Sequence, residues 1–359
     1  MSEFRVNSIT NQDGSAGPQI CGVSTFSGKS GVQIPSGSSD FRRLDGGGRG
    51  RGVFGSGFSG AAPSPGNLVA TMDVIEIATT GDAVDFGDQS RSAYQQASVS
   101  SSTRGLFMGG ANPSGSLSSI GYVTISSQGG GNDYGDLRQA TTHAAAASNN
   151  TRGIIGGGYN PTPIYFNTID FVTIATTGSS NEFGSLSDTR WYAGGGRAST
   201  TRMLFLGGTN VDASNNPASH NVIEFIEIAS LGNAQDFGDL VNSLKGYGMG
   251  CGNCQSPTRT VTLGGFYSPA DRNEIQLITF ATKGNSTDFG DLLATTRGGG
   301  SNSNTTRGVL GGGRTPTQVN TIQFITFSTT GDATNFGDLT SIRAFNCAGM
   351  SDNHGGLAQ

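Results

Sequence analysis

A unit of about 50 residues repeats six times along this chain, from about residue 51 to its end. One copy reads TTRGVLGGG, a variable stretch, NTIQFITFSTTGDATNFGDL and then TSIRAFNCAGMSD. A period of this size, with several short β-type segments in each copy, predicts a β-propeller in which each copy supplies one blade. An arginine marks every copy, with spacings of 53, 48, 50, 57 and 48 residues between Arg51, Arg104, Arg152, Arg202, Arg259 and Arg307.

Each copy predicts four short strands. The first consists of small residues, the second starts at the arginine and ends at Gly-Gly, and the third is the most hydrophobic. In the third strand the apolar residues Ile169, Phe171, Val172 and Ile174 point to both faces, which indicates a sheet covered on both sides. The fourth strand surrounds an aromatic residue followed by glycine, which recurs at Phe86, Tyr134, Phe183, Phe237, Phe289 and Phe336.

The register of the repeats predicts how the ring closes. The aromatic residue precedes the next arginine by 18 residues in three copies, but the same count from Phe336 ends at His354. Residues 344–350 therefore form a first strand without a second, while Arg51–Gly57 is a second strand without a first. Pairing the two ends would remove exposed strand edges. We predict an all-β, six-bladed propeller over residues 49–359, closed by its C-terminal strand.

Residues 1–48 lack the repeat and contain too little apolar surface for a core. Their Gly- and Ser-rich composition predicts an extended N-terminal arm that becomes ordered only against a partner. The first ten residues contain no basic and apolar segments of the secretory type. We therefore expect no signal peptide and synthesis in the cytoplasm.

Composition excludes two broad classes of partner. Charged residues make up 13% of the chain and the net charge is −5, so a nucleic-acid partner is not expected. The apolar stretches are short and interrupted, so no membrane insertion is expected either.

Several motifs resemble catalytic or metal sites but lack the required context. Cys251 and Cys254 form a C-x-x-C without a second ligand pair, which favours packing over zinc binding or redox chemistry. Asp-Phe-Gly recurs without the other kinase motifs. His143, His220 and His354 share no spacing, so no copper site of clustered His and Tyr is evident. We assign no catalytic, cofactor or metal site and expect no cofactor.

Two recurring polar residues are interpreted as structural. The repeated arginine is expected to bind carbonyls or carboxylates between blades. The aspartate two residues after the aromatic residue is expected to accept backbone hydrogen bonds in a turn, although calcium binding stays an alternative. This aspartate occurs at Asp88, Asp136, Asp239, Asp291 and Asp338.

The order of these elements over residues 50–350 resembles the Kelch repeat, except that phenylalanine or tyrosine replaces the Kelch tryptophan. The variant TRGVLGGG followed by ITFSTTGDATNFGDL is similar to repeats in structural proteins of tailed bacteriophages, notably those of marine bacteria. The opening RVNSITNQDGSAGP resembles the N-terminal segment of such virion proteins. This resemblance implies a non-enzymatic virion protein in multiple copies, attached to other virion proteins through residues 1–48 and serving as decoration, fibre or adhesion module.

Two alternatives stay open: a carbohydrate-binding module for host surface glycans and, third, a propeller enzyme. Whether the chain binds other proteins or glycans, the contact face is predicted at the loops after Gly-Gly, because these loops differ most among the six copies. Tyr159, Tyr165 and Tyr267 are the candidate contact residues. The variable loops are Phe58–Leu68, Ala111–Ser118, Tyr159–Phe166, Thr209–Asn221, Phe266–Arg272 and Arg314–Gln318.

Overall fold

The computed structural model describes residues 19–20, 23–24, 26–28, 31–33, 50–59, 68–160, 164–191, 196–211, 217–241, 252–267, 270–343 and 348–357. The chain divides into two compact units, Met1–Leu44 and Asp45–Gln359. Most of the predicted N-terminal arm lies outside the described residues. Its described part contains two short hairpins, formed by β1 (Gln19–Ile20) with β2 (Val23–Ser24) and β3 (Phe26–Gly28) with β4 (Gly31–Gln33).

The second unit is a six-bladed β-propeller, which confirms the predicted fold class; every regular element among the described residues is a strand. Each blade is a four-stranded antiparallel sheet whose strands follow one another outward from the axis. Blade 1 contains β34 (Ala348–Ser351), β5 (Arg51–Gly55), β6 (Thr71–Glu76) and β7 (Val84–Asp88). Blade 2 contains β8 (Ala97–Ser100), β9 (Arg104–Met108), β12 (Ser119–Thr124) and β13 (Asn132–Asp136). Blade 3 contains β14 (Ala145–Ser148), β15 (Arg152–Gly156), β18 (Thr168–Thr173) and β19 (Asn181–Ser185).

The remaining three blades have the same order. Blade 4 contains β20 (Gly196–Ala198), β21 (Arg202–Val211), β22 (Pro217–Glu227) and β23 (Gln235–Asp239). Blade 5 contains β24 (Gly252–Gln255), β25 (Arg259–Tyr267), β26 (Ala270–Thr279) and β27 (Thr287–Asp291). Blade 6 contains β28 (Gly300–Ser303), β29 (Arg307–Gly311), β32 (Thr321–Thr326) and β33 (Thr334–Asp338).

The C-terminal strand completes the first blade. β34 pairs antiparallel with β5, with Ala348 opposite Gly55 and Ser351 opposite Gly52. The strand is displaced toward the C-terminus relative to the expected residues 344–350, of which residues 344–347 lie outside the described residues. The innermost strands then neighbour one another in a closed circle, β34, β8, β14, β20, β24 and β28.

The hydrophobic core lies between blades rather than within one. Six clusters of buried side chains fill the six blade interfaces. At the interface of blades 3 and 4, for example, Ile154 and Phe183 pack with Met203 and Phe205. The interface of blades 6 and 1 is filled in the same way, which shows that closure buries apolar surface as every other interface does. This arrangement explains why the third strand is apolar on both faces.

Beyond Gly-Gly in blades 2–6, and beyond Ser56-Gly57 in blade 1, the chain segments that follow the second strand and precede the third pair antiparallel with each other. In blades 4 and 5 the two long strands themselves extend into this pairing. In blades 2, 3 and 6 the segments form a separate small sheet, and in blade 1 an isolated bridge joins Phe58 and Leu68. The separate strands are β10 (Ala111–Asn112), β11 (Gly115–Ser116), β16 (Tyr159–Asn160), β17 (Ile164–Tyr165), β30 (Arg314–Thr315) and β31 (Thr317–Gln318). We call these paired segments the hairpins and the end of the ring that carries them the hairpin end.

Candidate functional site

The repeated arginines hold neighbouring blades together. Arg104 of blade 2 donates from Nη1 to the carbonyl oxygens of Ile174 and Ala175 in blade 3, at 3.1 and 2.9 Å. Arg307 of blade 6 makes the corresponding bonds to blade 1. The guanidinium of Arg104 also lies 4.4 Å from the centre of the Tyr122 ring in its own blade. The predicted inter-blade role is therefore confirmed, and these arginines are engaged in the framework.

The glycine after each aromatic residue allows the next blade to approach. A Cβ atom at Gly184 would overlap the carbonyl oxygen of Gly232, and Gly337 is held in the same way against Gly81 across the closure. The side-chain role expected of the following aspartate stays a prediction, whereas the backbone N–H of Asp338 donates to Oδ1 of Asp82 at 3.0 Å. The accepting side chain therefore belongs to the turn of the neighbouring blade.

Serines of the inner strands form a belt around the axis. Ser100 Oγ donates to the Ser351 carbonyl at 2.7 Å, and Ser351 Oγ donates to the Ser303 carbonyl at 2.6 Å. The chain beyond β34 continues into the axis, where His354 is 7% exposed and contacts blades 2 and 5. The axial cavity of about 30 Å³ that remains could hold about two waters.

The predicted contact residues Tyr159 and Tyr165 lie together at the hairpin end. They are directly opposite each other on β16 and β17, and their stacked rings are 6.1 Å apart. Both are half-buried. Tyr267 lies on the hairpin of blade 5, where its backbone pairs with Ala270, and its side chain is outside the described part of the structure. The sequence therefore placed two of the three candidates in one site.

Two further aromatic residues, which the sequence analysis did not select, form the floor of this site. Trp191 lies 4.9 Å from Tyr159 and 5.4 Å from Tyr165, and His143 lies 5.2 Å from Tyr159. Trp191 is 7% exposed and His143 is 4% exposed. We call Tyr159, Tyr165, Trp191 and His143 the aromatic patch. His143 thus lies beside a tyrosine, a proximity that the spacing of the three histidines did not indicate.

The crossing segments between blades bring these residues together. Thr142, next to His143, bridges to Tyr159, while Trp191 bridges to Thr209 of blade 4. His143 adopts a φ of 57°, a left-handed conformation that is uncommon for residues other than glycine, and Gly298 occupies the corresponding place before blade 6. The patch therefore spans the junction of blades 3 and 4.

The patch is uncharged near neutral pH. Burial lowers the pKa of His143 well below its usual value. Burial also raises the pKa of Tyr159, with a further contribution from the hydroxyls of Tyr94 and Tyr165. Beside the hairpins of blades 5 and 6 the surface carries charged groups instead. Arg297 lies 4.8 Å from the centre of the Phe266 ring and pairs with Asp271 at 3.1 Å.

Cys254, the described cysteine of the C-x-x-C motif, packs in the inner strand of blade 5. Cys254 is buried and donates its S–H to the carbonyl oxygens of Asn302 and Val309, and burial raises its pKa to about 12. Cys251 lies outside the described residues. Within the described ranges, no three His, Cys, Asp or Glu side chains are placed to hold a metal ion together. None of the described segments is a helix long and apolar enough to cross a bilayer.

No protein-family model matches the chain, and a search of curated proteins finds no significant relative. The geometry accordingly establishes a six-bladed propeller of small antiparallel sheets, with an aromatic patch on one end.

Proposed function

We propose that this chain is a non-enzymatic structural protein of a tailed-bacteriophage virion, in which the propeller is displayed on the particle and residues 1–48 attach it to other virion proteins. The similarity of the repeats and of the opening segment to such proteins supports this placement. A stable ring with one face available for contact suits decoration, fibre and adhesion roles alike.

Variation among the six hairpins supports the proposal of a contact face at the hairpin end. The repeated arginines and glycines are engaged in inter-blade contacts, as Arg152 shows by binding the carbonyls of Ile228 and Ala229. The hairpins differ from blade to blade in length and in side chains. Residues that every blade needs for folding are constant, so variation at one end marks surface that is free to acquire contacts.

The aromatic patch favours a second candidate function, which is compatible with the first: binding of host surface glycans. Tyr159 and Tyr165 offer half-buried rings on a floor of buried Trp191 and His143. A sugar ring has an apolar C–H face that packs on aromatic rings and hydroxyl groups that need polar partners. Tyrosine supplies both a flat apolar surface and a hydroxyl. Ordered rings also lose little conformational freedom on binding.

Virion placement is tested with the full chain and a variant lacking residues 1–45. Mass spectrometry of purified particles should detect the full chain in multiple copies, whereas the shortened protein should fold as a propeller and fail to join the particle. Normal incorporation of the shortened protein would show that the arm is not the anchor. Absence of the full chain from purified particles would refute the virion proposal.

Glycan binding is tested on a glycan array with the full chain and with Tyr159→Ala and Tyr165→Ala. Each substitution should weaken binding by about fivefold or more, because truncation of an aromatic residue that dominates binding costs over about 1 kcal/mol. Tyr134→Phe serves as the control, since Tyr134 lies in the framework, where its hydroxyl donates to the Thr173 carbonyl. Tyr267→Ala reports whether the hairpin of blade 5 contributes. A patch variant that binds like the wild type would exclude this site, and release of shortened glycan would identify a propeller enzyme instead.

A further inference from the structure

A polar side chain on the third strand connects each blade to its predecessor, except in blade 2. Glu224 accepts the N–H of Ser187 at 3.0 Å, and Gln276 accepts that of Val241 at 3.1 Å. In two blades an arginine adds a buried ion pair, with Arg190–Glu224 at 2.8 Å and Arg343–Asp73 at 3.1 Å. The side chains at this position are Asp73, Asp170, Glu224, Gln276 and Gln323, all buried.

In blade 2 the corresponding residue is Gly121, which follows Ile120 as Glu224 follows Ile223. Arg190 lies seven residues after Phe183, and the residue seven after Phe86 is Ala93. Alanine therefore takes the place of the arginine at this junction. The acceptor side chain and the arginine are thus both absent at this junction, whereas the backbone N–H four residues after the aromatic residue is kept, at Ser90. A cavity of about 10 Å³ remains between blades 1 and 2. We call it the Gly121 notch; it is lined by Gln89, Ser90, Arg91, Gln96, Phe107, Tyr122 and Asp133, among others.

Two residues that line the notch each have a buried polar atom without a hydrogen-bond partner. Gln89 is 8% exposed, yet its amide nitrogen Nε2 makes no hydrogen bond. The buried amide oxygen Oε1 of Gln96 also makes none. A buried donor or acceptor without a partner is costly, so such atoms in a cavity indicate a group that arrives from outside.

We propose that the Gly121 notch binds a hydroxyl group of a saccharide or polyol. A hydroxyl both donates and accepts, so it matches both the unpaired donor Gln89 Nε2 and the unpaired acceptor Gln96 Oε1, whereas an ammonium or a carboxylate matches only one of them. The volume of about 10 Å³ admits one group of the size of a water molecule. The Tyr122 ring lines the notch, and the exposed Arg91 and Asp133 can bind neighbouring hydroxyls of the same ligand.

The Gly121 notch would bind the same class of ligand as the aromatic patch but lies at a different place in the ring, so substitutions separate the two sites. The decisive variant is Gly121→Gln, which introduces the residue that blades 5 and 6 carry. The nearest atom to a new Cβ is Ser90 Oγ at 3.0 Å, and this hydroxyl can rotate away. The variant should fold and should melt no lower than the wild type, because it restores an inter-blade contact while filling the notch.

Binding is measured by saturation-transfer NMR on the full chain, with glycerol and methyl glycosides of glucose, galactose, mannose and N-acetylglucosamine as probes. At least one probe should bind the wild type, and Gly121→Gln and Gln89→Leu should each weaken that binding by about tenfold, the effect of one lost hydrogen bond to a buried group. Tyr159→Ala should leave it unchanged.

Two outcomes would overturn the proposal. The first is that no probe binds the wild type, which would leave the notch to an ordered water only. The second is that a folded Gly121→Gln and a folded Gln89→Leu bind like the wild type. In either case glycan binding at the aromatic patch, if the array shows it, stands independently.

Discussion

His354 should make the stability of this propeller strongly dependent on pH below neutrality. Its Nε2 lies 3.1 Å from the carbonyl oxygen of Ser100, so this nitrogen carries the proton and donates. Its Nδ1 lies 2.7 Å from Gln255 Nε2 and accepts the backbone N–H of Gly356 at 3.1 Å. Protonation of Nδ1 would place an N–H against two other donors. The folded ring therefore holds the neutral imidazole.

The magnitude follows from the change in affinity for the proton. Burial lowers the pKa of His354 from 6.5 to about 4. The unfolded chain therefore binds a proton near pH 6.5, while the folded protein does not until about pH 4. His354 contributes no penalty above pH 6.5. Between pH 6.5 and 4 it should progressively cost about 3 kcal/mol of unfolding free energy.

Urea unfolding of the wild type and of His354→Gln from pH 7 to pH 4 measures this contribution. Glutamine keeps a donor and an acceptor but does not titrate. Because buried His143 titrates in the same direction, the difference between the two proteins isolates His354. The wild type should lose about 3 kcal/mol more than the variant over this range. Equal losses in both proteins would refute the axial geometry described for His354.

Three further outcomes follow from the framework. Gly184→Ala should lower the unfolding free energy by about 1–3 kcal/mol, measured by urea, because the new methyl overlaps the Gly232 carbonyl; Gly130→Ala, whose methyl has room, is the control. Deletion of residues 344–359 should expose the edge of β5 and cause aggregation or a large drop in melting temperature, and a monomer that melts like the full chain would contradict this closure. At pH 8, iodoacetamide should leave Cys254 unmodified in the folded protein and alkylate it in urea, as peptide mass spectrometry would show.

The sequence predicts the ring well because the framework repeats. Arginine and glycine recur wherever one blade must bond to or closely approach the next, as at Arg104 and Gly184, so the number of blades follows from counting them. The closure of the ring follows from the register of the repeats alone, and β34 pairs with β5 as this register predicts. The exact bounds of that strand are less predictable, since small residues such as those in the C-terminal segment lack a strong pattern.

The aromatic patch is predicted only in part, for a physical reason. Tyr159 and Tyr165 belong to one hairpin, so their proximity is a local property of two paired strands. Trp191 reaches them from the segment that crosses into blade 4. Which crossing residue meets which hairpin depends on the packing of whole blades around the axis. No local period in the sequence contains that information.

The ring repeats its backbone six times, but its chemistry does not repeat. The aromatic patch lies at the junction of blades 3 and 4, and the Gly121 notch lies between blades 1 and 2. At the junction of blades 5 and 6, Arg297 of the crossing segment pairs with Arg314 of the hairpin of blade 6. A partner that binds all six blades in the same way would need the same chemical groups at every junction between blades. These groups instead differ from junction to junction, so the proposed contact face suits a ligand that binds one side of the hairpin end, off the propeller axis. The C-terminal segment around His354 follows Ser351 and fills the axis at the opposite end of the ring, where Ser100 and Gln255 hold it in place.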